Sequence, residues 1–307
     1  MPGQTQGVET GLAINGKKFC FLSIQDRTTY RRTDASEESL CGRLDHFEEE
    51  VVTGIIVPRL TIRMMPSPQE LNELLPLMLF EQVDEAEEWT PIVLPFSLPD
   101  LDVVINRVAA VDIYGDGVVD KWILSAAKGV RPWQLELQIA FASKPLINSG
   151  DTFDPELIEG NTAPYAFTQS ALSLNSGTHY PQSFVLIGDH KVFIQHNNSV
   201  VPTSIKPTDQ KYYFGPDLPA TSSELGLLTA FTGVDTAAAS QAGYGGSLTF
   251  TSGAVSTLFA MHNLKSDASP PSIPGRAELR NKFFYQVYGT GGDTPSPSLT
   301  ITNTLEA

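Results

Sequence analysis

The amino-acid sequence predicts a mainly β protein made of two similar halves, each carrying one α-helix. Three observations lead there. Apolar and polar residues alternate at a period of two over long stretches, the mark of half-buried strands. Only one stretch carries a full helical stripe. And a series of features occurs twice in the same order along 307 residues, a length that suits two domains of roughly 150 residues each.

The series opens with Leu12-Ala13-Ile14-Asn15-Gly16, an alternating strand ending in a turn. It recurs 160 residues later as Leu172-Ser173-Leu174-Asn175-Ser176-Gly177. Next comes the helix start Ser67-Pro68-Gln69-Glu70. Ser67 can accept from the amide of Glu70, Glu70 can reach back to the amide of Ser67, and Pro68 sits where a missing amide costs nothing. Leu71, Leu74, Leu75 and Met78 follow at i, i+3, i+4 and i+7. Pro76 should kink this helix or end it early. The second copy starts at Thr221-Ser222-Ser223-Glu224 and continues through Leu225, Leu228, Thr229 and Phe231, at an offset of 154. Hairpin-like material fills Val103 to Ala127 and Ser247 to Leu264. Each half then ends on a long strand. In the first, Trp133, Leu135, Leu137, Ile139 and Phe141 alternate with polar residues; in the second, Phe283, Tyr285 and Val287 share one face at an offset of about 146. A last strand covers Leu299 to Thr302.

Between the halves, Ser143 to Pro164 is rich in turn signals: Asn148-Ser149-Gly150, Asp154-Pro155, Ala163-Pro164. The chain therefore divides into a first domain at 1–150, a linker at 151–164 and a second domain at 165–307. The repeat predicts that residues 12–142 superimpose on 172–290, with the two helices coincident.

Charge and cysteine usage narrow the function classes. The net charge is −15. Residues 1–150 hold 13 basic and 22 acidic residues, a net of −9, and 151–307 hold 7 and 13, a net of −6. Such a field argues against gripping nucleic acid, though not against letting it slide past; it also serves solubility. No apolar run approaches the ~18 residues of a membrane span. The start, Met1 to Gly7, has neither the basic nor the apolar stretch of a signal peptide, so synthesis in a cytoplasm is expected. Cys20 and Cys41 read as free thiols in a reducing compartment.

Catalytic, metal and cofactor signatures are not found, and no enzyme is expected. There is no Gly-x-Ser-x-Gly elbow, and neither cysteine adjoins a histidine. His46, His179, His190, His196 and His262 lack metal-ligand spacing. Asp112-Ile113-Tyr114-Gly115-Asp116-Gly117 begins like a calcium loop, but Ile123 stands where a bidentate Glu is needed, so a hairpin turn is expected. Tyr244-Gly245-Gly246 and Gly289-Thr290-Gly291-Gly292 lack the setting of a phosphate cradle. The acidic runs Glu48-Glu49-Glu50 and Asp84-Glu85 with Glu87-Glu88 read as solvated loops; residues 34–50 read equally as a mobile loop or as an arm touching a neighbouring subunit.

The helix start Pro66-Ser67-Pro68-Gln69-Glu70-Leu71-Asn72-Glu73-Leu74-Leu75-Pro76-Leu77 resembles that of two-domain tail tube proteins from long-tailed siphophages. Pro202-Thr203-Ser204-Ile205-Lys206-Pro207-Thr208-Asp209 and Ser272-Ile273-Pro274-Gly275-Arg276-Ala277-Glu278-Leu279-Arg280 look like segments of the same family's second domain. The resemblance implies β-sandwich domains and a structural subunit of the virion tail, stacked in rings around a DNA channel. Three two-domain chains would complete a ring that single-domain relatives build from six. Implied partners are other copies of the chain, neighbouring tail proteins, and DNA passing through without specific binding; no membrane is involved. On this reading the overall charge predicts an acidic channel wall. A β-sandwich binding module for carbohydrate or virion decoration is the alternative, with Trp89, Trp122 and Trp133 as candidate platforms. A hydrolase on a β scaffold would need close carboxylates in a pocket.

Overall fold

The computed structural model describes residues 10–34, 51–80, 88–91, 98–108, 110–129, 132–219, 227, 243–266, 280–290 and 296–305. They form a mainly β fold of antiparallel sheets with one α-helix. The first half runs β1 (Gly11–Ile14), β2 (Lys17–Phe19), β3 (Ser23–Asp26), β4 (Thr29–Asp34), β5 (Val51–Val57), β6 (Arg59–Met64) and α1 (Pro68–Leu79). It continues with β7 (Glu88–Trp89), β8 (Val103–Asn106), β9 (Val111–Tyr114), β10 (Gly117–Ala127) and β11 (Gln134–Phe141). The second half runs β12 (Ser170–Leu174), β13 (Gly177–His179), β14 (Ser183–Asp189), β15 (Val192–Gln195), β16 (Ser204–Pro207) and β17 (Lys211–Pro219). It ends with β18 (Tyr244–Ser252), β19 (Val255–Ser266), β20 (Arg280–Lys282), β21 (Tyr285–Tyr288) and β22 (Leu299–Thr304). The second helix expected near Ser222 lies outside the described residues, apart from the buried Leu227.

α1 forms for the reasons its sequence gives. Ser67 Oγ accepts from Glu70 N at 3.0 Å, and Glu70 Oε2 accepts from Ser67 N at 2.8 Å. Glu70 is itself buried, and its other oxygen accepts from Cys20 N at 3.2 Å, tying the helix start to the chain after β2. Leu71, Leu74, Leu75 and Met78 are all buried. Pro76 does not end the helix, which continues to Leu79 and stops at Phe80 in the left-handed region, φ 58°. A buried Phe is costly there; its ring packs 4.3 Å from that of His190.

Alternation fixes which side of each strand is dry. On the core side a continuous row crosses the long sheet: Ile24, Ile62, Leu137, Trp122, Gly188, Tyr212, Val287 and Leu264 are successive register partners. On the opposite side the matching row reads Ser23, Arg63, Glu136, Ile123, Ile187, Tyr213, Gln286 and Lys265. The interior is shared between halves. Trp133 of the first meets Tyr165 and Phe250 of the second, each at 4.8 Å between ring centroids.

Pairing repeats between halves. β1 pairs β2 and β8 as β12 pairs β13 and β18, with Leu12↔Phe19 and Leu12↔Ile105 matching Leu172↔His179 and Leu172↔Leu248. β3 pairs β6 as β14 pairs β17: Ser23↔Arg63 matches Ser183↔Asp217, at offsets of 160 and 154. Leu60↔Ile139 matches Phe214↔Tyr285, an offset of 146 on the second partner. The long β19 does the work of both β9 and β10, pairing β18 from Val255 to Leu264 and β21 from Asn263 to Ser266.

The 143–164 segment runs along the first half. Leu146 and Ile113 exchange two backbone bonds of 2.9 Å, Glu156 O accepts from Lys18 N at 2.8 Å, and Gln69 Oε1 accepts from Thr162 Oγ1 at 2.9 Å.

Candidate functional site

Two features of the long sheet stand out: a seam where the halves join, and an edge where the sheet stops. At the seam, β10 pairs with β14 through seven register pairs, from Lys121↔Asp189 to Ala127↔Ser183. His190 N to Asp120 O and Lys128 N to Gln182 O, both 2.9 Å, extend it at either end. The sequence places Trp122 and Gly188 opposite each other here. A Cβ on residue 188 would lie 2.2 Å from Trp122 Nε1, so only glycine lets the indole cross the partner strand. That indole then donates to Met78 O at 3.1 Å, binding the seam to α1.

His190 closes one end of the seam. Its ring is fully buried between Phe80 and Tyr212, and Nδ1 donates to Val119 O at 2.9 Å. Nε2 is buried without a protein partner. Burial pushes the imidazole pKa down to about 4, against the opposing pull of the Val119 carbonyl, Asp120 and Asp189. Asp120 sits at a bulge between Val119 and Lys121. Its carboxylate accepts from Arg59 at 2.8 Å and from Val192 N at 3.1 Å.

The edge is β3, which pairs β6 on one side and, among the described residues, no strand on the other. Register makes β3 the counterpart of β14. Its outer side therefore corresponds to the side by which β14 holds β10.

The polar face carries paired charges of both signs. Arg59 meets Asp120 at 2.8 Å and Arg63 meets Glu136 at 2.6 Å, while Lys121 and Lys211 both lie across from Asp189 in register. Partial burial works to raise the Glu136 pKa, but hydrogen bonds from Gln138 and Arg63 outweigh it and hold it low.

The other candidates do not converge. His179 Nε2 lies 3.3 Å from Leu174 O and His262 Nε2 lies 3.2 Å from Thr300 Oγ1. No group of three or more His, Cys, Asp or Glu suited to a metal ion occurs among the described residues. Asp112 is buried: it pairs with Arg107 and accepts from Asn148 N at 3.1 Å, so it staples a turn. Trp89, Trp122 and Trp133 are all buried and form no exposed platform; Trp133 Nε1 donates to Pro66 O at 2.6 Å. Cys20 is a free, exposed thiol. His46, Cys41, Glu48 to Glu50 and Asp84 to Glu87 lie outside the described residues. No described helix is long and apolar enough to cross a membrane. Sequence reasoning missed the seam, whose only local signal is the pairing of a bulky Trp with a strand glycine. Compared with protein-family models and with curated proteins, the chain finds no match.

Proposed function

We propose that this chain is a structural subunit that assembles edge to edge into stacked rings, the tail tube of a long-tailed bacteriophage. On this reading the two halves are duplicated β-sandwich domains. The observation that carries it is the β10–β14 seam. There one half joins the other head to tail, by non-equivalent edges, and the same kind of edge at β3 has no strand partner among the described residues. A head-to-tail contact that repeats under rotation closes a ring where the rotation returns on itself, and runs on as an open filament where it does not. An open strand edge in a free chain is a pairing hazard that a ring removes. Six halves per ring, and hence three chains, follows from the resemblance of the Pro66–Leu77 segment.

The polar face of the long sheet is the natural channel wall. Arg59–Asp120 and Arg63–Glu136 pair opposite charges on that face, within the acidic balance that the net charge of −15 predicts for the wall. A wall whose cations are already paired has few counterions to exchange with phosphates, and so would not retard DNA. Negative-stain microscopy of the purified protein tests the proposal: rings or tubes support it, and a uniform field of single globules would refute it.

A further inference from the structure

The β15–β16 hairpin crosses the seam and seats on the first half. Ile205 is buried with Phe80, Val118 and Ala140, and Val192 and Ile194 pack against them. Val200 O accepts from Ile56 N at 2.8 Å. The first half has its own hairpin, β4–β5, at the same place in the strand order. Register aligns the two: Arg32↔Thr53 matches Val192↔Pro207, and Asp34↔Val51 matches Ile194↔Ile205. That hairpin springs from β3, beyond which the described residues place no further strand, so they offer no neighbouring half for it to cross onto.

The seat also has a counterpart. Val118↔Ala140 matches Lys265↔Gln286, Ala142 corresponds to Tyr288, and Ile56 corresponds to Gln210 at the offset of 154. Gln210, Gln286 and Tyr288 line one groove of 650 Å³. We infer that this groove, beside β17 and β21, receives the β4–β5 hairpin of a second copy of the chain. The inference rests on the ring reading and names the contact that would join neighbours beyond their strand edges.

Its chemistry differs from the internal seat in a complementary way. Lys265 stands where the internal seat has Val118, and Asp34 stands where the internal hairpin has Ile194. Two apolar register positions within the chain are thus matched by two positions of opposite charge. Lys265 Nζ lies 5.5 Å from the centre of the ring of Tyr288, which lines the groove.

The test is association of the full-length protein, followed by sedimentation velocity over a dilution series, with thermal melting of each unassembled chain as the check on folding. Lys265→Asp should weaken association by about tenfold or more, because like charges would then face each other across the contact. Asp34→Lys should do the same, and the double variant should recover most of the loss. If Lys265→Asp melts early, Lys265→Gln and Asp34→Asn replace the reversals: each should weaken association, and the pair should cost little more than either alone. Single variants that associate like the wild type, or a double variant no better than a single, would overturn the inference while leaving rings intact. A wild-type chain that stays monomeric would sink both the groove and the ring.

Discussion

At the scale of single residues, the seam depends on Trp122 lying across Gly188. Gly188→Ala would push a methyl into the indole, and crowding of this kind typically costs about 1–3 kcal/mol. Denaturant titration should show that loss, whereas Gly253→Ala, whose Cβ meets no neighbour but whose φ is 65°, should cost about 1 kcal/mol through backbone strain alone. His190 makes a prediction about pH. Its folded pKa, about 4, is below the ordinary imidazole value of 6.5, so the unfolded chain takes up the proton first. Its stabilising contribution is therefore complete above about pH 6.5 and declines as pH falls toward 4, by about 3 kcal/mol in all. The wild type should lose stability over that window relative to His190→Phe, whose ring cannot titrate. Parallel stability curves for the two proteins between pH 7 and 4 would contradict the assignment. Residue-level chemistry was only partly legible beforehand. Sequence does not reveal that Arg107 lies within reach of Asp112, or that Met78 and Pro66 offer carbonyls to Trp122 and Trp133.

At the scale of elements, α1 was the most legible part, since its capping box, its apolar stripe and its start are all local. Leu74 is fully buried at the centre of the stripe. Leu74→Ala should cost about 2–5 kcal/mol, far more than neutralising any one acid among residues 34–50, and thermal melts of the two variants would compare them. Ser67→Ala should cost about 1 kcal/mol through the lost cap. Pro76 misleads because its rule concerns an isolated helix, whereas here buried Leu77, Met78 and Leu79 hold the last turn against the core. The long strands were legible too: β11 alternates as its sequence does, with Leu135, Leu137 and Ile139 buried. Their partners were not legible. Alternation tells a strand which face is dry and nothing about which strand lies beside it, so neither the β10–β14 pairing nor the fusion of two roles in β19 could be read. The Ser143 to Pro164 segment reads as a spacer because its partners, Ile113, Lys18 and Gln69, are distant in sequence.

At the scale of the whole molecule, two kinds of joint have to be distinguished. The seam within a chain is a full ladder backed by Trp122 and His190. The ring-closing joint would set the β3 edge of one copy against another copy, without the Trp122 and His190 packing that backs the seam. The joint between chains should thus be the weaker, relying more on the hairpin and groove. Dilution should accordingly release folded single chains well before the halves separate. The central claim is that the internal head-to-tail junction is one step of a closed ring, and the mass of a single ring tests it most directly. Native mass spectrometry of assembled protein should give a species of three chains, about three times 33.4 kDa, with threefold symmetry in averaged images; a species of six whole chains, or a 33.4 kDa monomer at every concentration, would contradict it.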